Sequence, residues 1–578
     1  MFIKRNRARL AGKTYESVLL VQGKRVPAKR RVGRPRADSP PPKSIVVHET
    51  LANLSRLPAK LIELIEAFCK DPQANPGPVP ALRQGSSGGP SADRGSAVEM
   101  GPCYGVLAGL HGLARELGMV GAVGEATRTQ RLALYLVYAR LMLQSSRLAA
   151  VRASEDHAVR EVLEVGGFDE DDLYGALEYL EEHQSQIEAA LAPKGRGEGA
   201  GAVFLYDVTS VYFEGRHNAL AEFGYNRDGK KGKKQMVAGL LTDGQGEPLS
   251  IQLYRGNTND PPTFLDAVAK LKVRFGAEEI ALVGDRGMIK ALGKQAVGEA
   301  QFRYVTALTE PQVRALLKSG KLQMELFDEQ PAEVEVGGKR YVLRRNPQTQ
   351  AREAARRADQ WQRVQGWIGK RNQEVQQKER CEPQSSLRRA QALLTKYRLA
   401  GWVNVALEGR QVVWQEDEAA RAVEAQLDGC YVVESDLPVG VATTQQVHDR
   451  YVSLTAVERD FRTLKTGLLE IRPVFLRKEE RTRGHALVSL LALKLARELD
   501  RRMAPLGLTV QDAIERLKGV RLVRLGEPGM GLWRLAERYP VAQTEVLNAL
   551  PKLPSPMLSL GKPNIRRLRN PRKGRPHQ

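Results

Sequence analysis

Ala202-Val-Phe-Leu-Tyr-Asp207 and Ile280-Ala-Leu-Val-Gly-Asp285 are apolar runs of strand length, and each ends on an aspartate. Two further runs, Gln235-Met-Val-Ala-Gly-Leu-Leu-Thr242 and Pro248-Leu-Ser-Ile-Gln-Leu-Tyr254, read as strands joined by a turn at Asp243-Gly-Gln-Gly246. A helix-like stretch over 262–275 separates the third strand from the fourth. Strands and helix in alternation predict a mixed α/β sheet.

A carboxylate that ends a strand sits at the rim of its sheet, and two neighbouring strands bring two such charges together. Asp207 and Asp285 would then need a cation between them. Hard divalent ions such as Mg²⁺ take oxygen ligands, and two of them about 3.5–4 Å apart can activate an attacking oxygen and stabilise a leaving one in phosphoryl transfer. Glu458 is the candidate third ligand, within Tyr451-Val-Ser-Leu-Thr-Ala-Val-Glu-Arg-Asp-Phe-Arg-Thr-Leu-Lys465. On one helix, predicted over about 444–465, Tyr451, Glu458, Arg462 and Lys465 share a face. Phe461, Leu464 and Leu468 form an adjacent apolar stripe that would dock that helix on the sheet. A chain with 67 acidic residues also places some of them so by chance. A glycosidase likewise uses two carboxylates, but it explains neither the Tyr/Arg/Lys face nor the charge of the chain.

That charge is +22, from 89 Lys and Arg against 67 Asp and Glu, and the basic residues are clustered. A polyanion is therefore the first partner to consider, ahead of a basic surface kept for solubility. The four cysteines have no zinc-clip spacing, which predicts a reduced, cytoplasmic protein. The basic start, Met1-Phe-Ile-Lys-Arg, lacks the apolar run of a signal peptide, and no apolar stretch reaches the roughly 18 residues of a membrane span.

The expected plan is a basic appendage (1–70), a flexible Pro/Gly/Ser-rich linker (71–103) and a helical domain that binds DNA or dimerises (104–195). The catalytic core (196–306 and 428–500) is interrupted by a β-rich and helical insertion (307–427), and a helical region with a basic tail (501–578) follows. In the appendage, residues 15–22 read as a strand and 51–69 as a helix.

At these residues the sequence resembles the bacterial insertion-sequence DDE transposases, in the group with a Tyr-x-x-Arg-x-x-x-Glu-x-x-x-x-x-x-Lys helix and an inserted, partly β segment before the Glu. The resemblance spans about 104–499. It also rests on Tyr206-Asp-Val-Thr209, Gly256-Asn-Thr-Asn-Asp260, Asp285-Arg-Gly-Met288, Asp428-Gly-Cys-Tyr431, Ile471-Arg-Pro473 and Arg483-Gly-His485. It implies an RNase H-like catalytic domain in which Asp207, Asp285 and Glu458 bind two Mg²⁺ ions, with Mn²⁺ a substitute. It further implies that Tyr451 and Lys465 contact the DNA backbone; Arg462, on the same helix face, is expected to take over the phosphate contact of the motif's Arg, and Arg472 is a further expected DNA contact. The implied partners are double-stranded DNA, namely terminal inverted repeats and a target, handled by a homodimer at the bacterial nucleoid. The implied reaction exposes a 3′-OH and joins it to target DNA. A non-catalytic transposase relic and a simple metal-dependent nuclease are the alternatives. Leu454 departs from the motif's Arg, and Leu476 stands where His is expected.

Two Gly-Arg-Pro cores, at Gly33 and Gly574, suit an A·T-rich minor groove or recur by chance in basic runs. Trp361, Trp367, Trp402 and Trp414 offer either core packing or a stack for a displaced base. His217, His448 and His485 are left out of the site, because Mg²⁺ prefers oxygen ligands.

Overall fold

The computed structural model describes residues 2–10, 13–27, 44–53, 98–192, 202–215, 217–230, 232–275, 280–286, 288–378, 380–465, 468–472, 475–525, 533–536 and 538–554. The two Gly-Arg-Pro runs, most of the linker and the basic tail lie outside these residues. The chain divides into two units, Met1–Gly95 and Ser96–Gln578.

The first unit contains an antiparallel meander of β1 (Phe2–Leu10), β2 (Lys13–Pro27) and β3 (Ser44–Asn53). The strand read over 15–22 lies inside β2. Leu51–Asn53, expected to open a helix, instead end β3, where Ala52 and Asn53 pair with Leu20 and Leu19 of β2. Cross-strand pairing overrides local helical spacing here, and residues 54–69 lie outside the described set.

The second unit begins with β4 (Val98–Cys103) and seven helices: α1 (Gly105–Glu116), α2 (Met119–Val123), α3 (Arg128–Leu143), α4 (Arg147–Ala153), α5 (Val159–Leu163), α6 (Glu170–Glu182) and α7 (Gln184–Leu191). Capping boxes at Thr127/Gln130 and Asp169/Asp172 satisfy the orphan N–H groups that start α3 and α6. Next come β5 (Val203–Tyr212), β6 (Gln235–Asp243), β7 (Pro248–Arg255), α8 (Asp260–Phe275), β8 (Ala281–Gly284), α9 (Ala291–Glu299), β9 (Arg303–Ala307), α10 (Glu310–Lys318), β10 (Ala332–Val336) and β11 (Lys339–Arg345). Then follow α11 (Pro347–Gln377), α12 (Pro383–Lys396), β12 (Val403–Glu408), β13 (Gln411–Glu416), α13 (Glu418–Ala425) and β14 (Cys430–Ser435). The last elements are α14 (Thr444–Val452), α15 (Leu454–Lys465), α16 (Glu479–Met503), α17 (Val510–Lys518), β15 (Arg521–Leu525), β16 (Arg534–Leu535) and α18 (Val541–Asn548).

Eight strands form one mixed sheet in the order β10-β11-β14-β9-β8-β5-β6-β7. Strands β5, β8 and β9 run parallel, β6 and β7 extend one side antiparallel, and β14, β11 and β10 extend the other. Residues 332–345 thus join the main sheet. Within 347–425, α11, α12 and the β12–β13 hairpin close over a separate core of Trp361, Val364, Ile368, Leu394 and Trp402. Trp361 and Trp402 are buried there in edge-to-face contact, which leaves neither open to a base, while Trp414 is half exposed.

Alternation along β5 sends Phe204, Tyr206 and Val208 to one face, with Phe264 of α8, and Leu205 and Val211 to the other. The second face is continuous with the buried sides of α15 and α16 and with the helices of 105–191. Long α16, apolar through residues 486–493, packs on α6, and Gly484 makes that approach possible: a Cβ there would stand 2.0 Å from the Leu177 carbonyl oxygen. Gly484→Ala is therefore expected to destabilise the protein by about 2 kcal/mol or more, because the clash is with backbone. A lowered denaturation midpoint at unchanged slope would report it, and an unchanged midpoint would show that the two helices slide apart freely.

Candidate active site

The parallel register of β5 and β8 pairs Tyr206 with Gly284, so Asp207 and Asp285 are the next residues along the two neighbouring strands. Ala281 and Val283 face the same core as Leu205, and the period of two therefore puts both aspartates on the side of the sheet that α15 covers. Helix α15 docks through Leu454, Val457, Phe461 and Leu464, all buried, with Leu468 packed beside them. Docking by that stripe leaves Glu458 and Arg462 exposed.

The charges of Asp285 and Glu458 both bear on the Asp207 carboxyl. Burial pushes the Asp207 carboxyl up to about 7, and the negative charges of Asp285 and Glu458 push the same way. The Val208 N–H, which donates to Oδ1 at 2.7 Å, and the Arg227 charge oppose that shift only in part. Glu458 has no hydrogen-bond or ion-pair partner among the described residues. Asp285 Oδ1 accepts the Arg286 N–H at 2.7 Å and a long bond, 3.4 Å, from the Tyr451 hydroxyl. Burial, with the Asp285 charge adding to it, lifts that phenol to about 12, so Tyr451 acts as a neutral donor.

Tyr451 and Glu458 lie on successive helices instead of one. The chain breaks between α14 and α15 at Ser453, whose Oγ donates back to the Asp449 and Arg450 carbonyls at 3.1 and 2.8 Å. Lys465 Nζ donates to Thr209 Oγ1 at 2.6 Å and to Asp228 Oδ1 at 2.7 Å, pinning the end of α15 to β5. Arg472 pairs with Glu470 and lies 4.7 Å from the centre of the Tyr212 ring. Leu454 and Leu476, the two departures from the motif, are both buried, so packing occupies those positions. His448 is buried and bonded to Arg344 and Tyr431, and His485 is buried against Arg147, so neither joins the carboxylates.

Thr209 and Asp228 escaped the sequence reading. Thr209 was detectable, two residues from Asp207 on the same strand face. Asp228 sits in a connection without periodicity and gave no signal.

Oxygen-only side chains that repel one another suit a hard divalent cation, although among the described residues no three His, Cys, Asp or Glu side chains already converge closely enough to hold one. Among the described residues, no helix is long and apolar enough to cross a membrane.

A mixed α/β sheet with carboxylates at the ends of adjacent parallel strands is the setting in which the comparisons fall. The family model described as "Transposase DDE domain" matches residues 198–495, just over half of the chain, and the chain belongs to that family. Among solved structures, a piggyBac transposase in a synaptic complex with hairpin DNA is similar at 10% identity and a TM-score of 0.35, over 72% of this chain and 76% of that one. No curated protein sequence matches.

Proposed function

We propose that the chain is a bacterial insertion-sequence transposase that binds its element's ends, cuts DNA with divalent metal ions and joins the freed 3′-OH to target DNA. The observation that carries this reading is the placement of Asp207 and Asp285 just past the paired residues of two adjacent parallel strands, on the face that the Glu458-bearing helix packs against, in a DDE-family chain. The order β7-β6-β5-β8-β9, with its parallel β5, β8 and β9, supports an RNase H-like core for residues 196–306 and 428–500, with 307–427 inserted.

In this reading Asp207, Asp285 and Glu458 hold two Mg²⁺ or Mn²⁺ ions. When bound, such ions lower the pKa of an attacking hydroxyl and offset charge on the leaving oxygen. Tyr451 steadies Asp285 through its hydroxyl, and Lys465 fixes α15, which carries Glu458, against β5. Exposed Arg462, without an ion-pair partner among the described residues, can meet a phosphate directly, whereas Lys465 and Arg472 must first leave Asp228 and Glu470. Synapsis of two ends makes a homodimer the working form, at the bacterial nucleoid.

The test uses purified protein, Mg²⁺ or Mn²⁺, and DNA carrying the gene with its native flanks. Cutting at both borders followed by joining to a second plasmid is expected from the wild type and not from Asp285→Ala. Binding without cutting would identify a relic, and cutting without joining a nuclease.

A further inference from the structure

The connection from β5 to β6 holds chemistry that the carboxylates do not use. Between Phe213 and Gln235 the sequence places six Lys or Arg against three Asp or Glu. Within it, Phe223 and Tyr225 are 63% and 81% exposed. Single exposed apolar residues need no explanation, but two aromatic rings two residues apart on a clamped backbone are different.

The clamp is specific. The Tyr225 carbonyl accepts from Ser210 Oγ at 3.1 Å and from Gln235 Nε2 at 2.9 Å, and Glu222 and Gln235 exchange both backbone bonds. Gly224, between the rings, lies so close to Gly256 that a Cβ would stand 2.0 Å from its carbonyl oxygen. The rings are therefore held out from a fixed backbone. Cations frame them: Lys234 Nζ is 5.8 Å from the centre of the Phe223 ring, and the Arg227 guanidinium is 5.7 Å from that of Tyr225. Lys230 and Lys233 are exposed nearby. Ser210 stands three residues beyond Asp207 on β5, roughly 10 Å along the strand and with its side chain on the other face, so the connection wraps the end of the strand. Lys465 bridges the same connection to β5 through Asp228 and Thr209.

We propose that Phe223 and Tyr225 form a stacking platform for an unpaired base of the DNA strand brought to the carboxylates, with the surrounding lysines holding its phosphates. An aromatic face stacks on any base, and flanking cations favour a polyanion over an apolar protein partner. The inference rests on the DNA-processing reading of the carboxylate site.

Fluorescence anisotropy in EDTA, where strand cutting plays no part, tests it with one labelled duplex that is either blunt or carries a single-stranded thymine tail. The wild type is expected to prefer the tailed DNA. The double variant Phe223→Ala/Tyr225→Ala should lose about 10-fold or more of its affinity for the tailed duplex while blunt-duplex affinity holds. Tyr225→Trp should keep the preference, because it keeps a stacking face. Equal loss on both DNAs, or no loss, overturns the platform alone. Failure of the wild type to bind either DNA overturns the DNA-processing reading as well.

Discussion

Glu458→Gln and Asp285→Asn proteins are expected to bind element ends as tightly as the wild type while strand cutting falls by at least about 10³-fold. The two effects separate because they have different physical sources. Affinity for DNA comes from Lys and Arg charges that displace counterions, and losing one negative charge near the strand weakens none of them. On the proposed function, cutting depends on holding divalent charge where oxygen charge develops, and each amide would withdraw an anionic ligand worth several kcal/mol to that step. Glu458 is the cleaner probe, since its side chain is exposed and has no partner among the described residues, so its loss disturbs no packing. Asp285→Asn also alters the bond from Tyr451, which makes Tyr451→Phe the matched control. Cleavage rates at saturating Mn²⁺ and affinities in EDTA supply both readouts. A Glu458→Gln rate within tenfold of wild type would remove Glu458 from the metal-ligand set.

How much of this site could be read in the sequence depends on which forces placed each residue. Asp207 and Asp285 end apolar runs, and a strand's period of two carries such a pattern directly into a shared sheet face. The buried side of α15 was equally open to reading, because Phe461 and Leu464 recur at helical spacing and fill the core. The break at Ser453 was not, since it is marked only by a hydroxyl turning back to the Asp449 and Arg450 carbonyls, which apolar periodicity does not encode. Nor was the pairing of β11 with β14, which closes 84 or more residues of intervening chain through backbone bonds that side-chain periodicity does not encode. Lys465 was singled out for its helix face, but its Asp228 partner comes from a connection whose conformation is set by tertiary contacts.

Asp207→Asn is expected to leave the protein inactive yet more stable when no divalent ion is present. In the unfolded chain the Asp207 carboxyl titrates near its ordinary 3.8, and in the folded chain near 7. Between those values the folded state keeps a proton that the unfolded state has lost, so stability falls as pH rises through this window. Above about 7 the full penalty is present, on the order of 2–4 kcal/mol once partial exposure is allowed for. The amide carries no charge and escapes it. In EDTA at pH 8 the variant should therefore melt at a higher temperature than the wild type. The gap should narrow as pH falls through 7 and close near the ordinary aspartate value. Adding Mg²⁺ at pH 8 should raise the wild-type midpoint and leave the variant's nearly unchanged, because a cation beside Asp207 offsets the cost of its buried charge, and the smaller repulsion by Asp285 and Glu458, both of which the amide removes. A variant no more stable than wild type at pH 8 in EDTA would mean that water already screens Asp207, and the electrostatic case for a metal between these strands would fall with it.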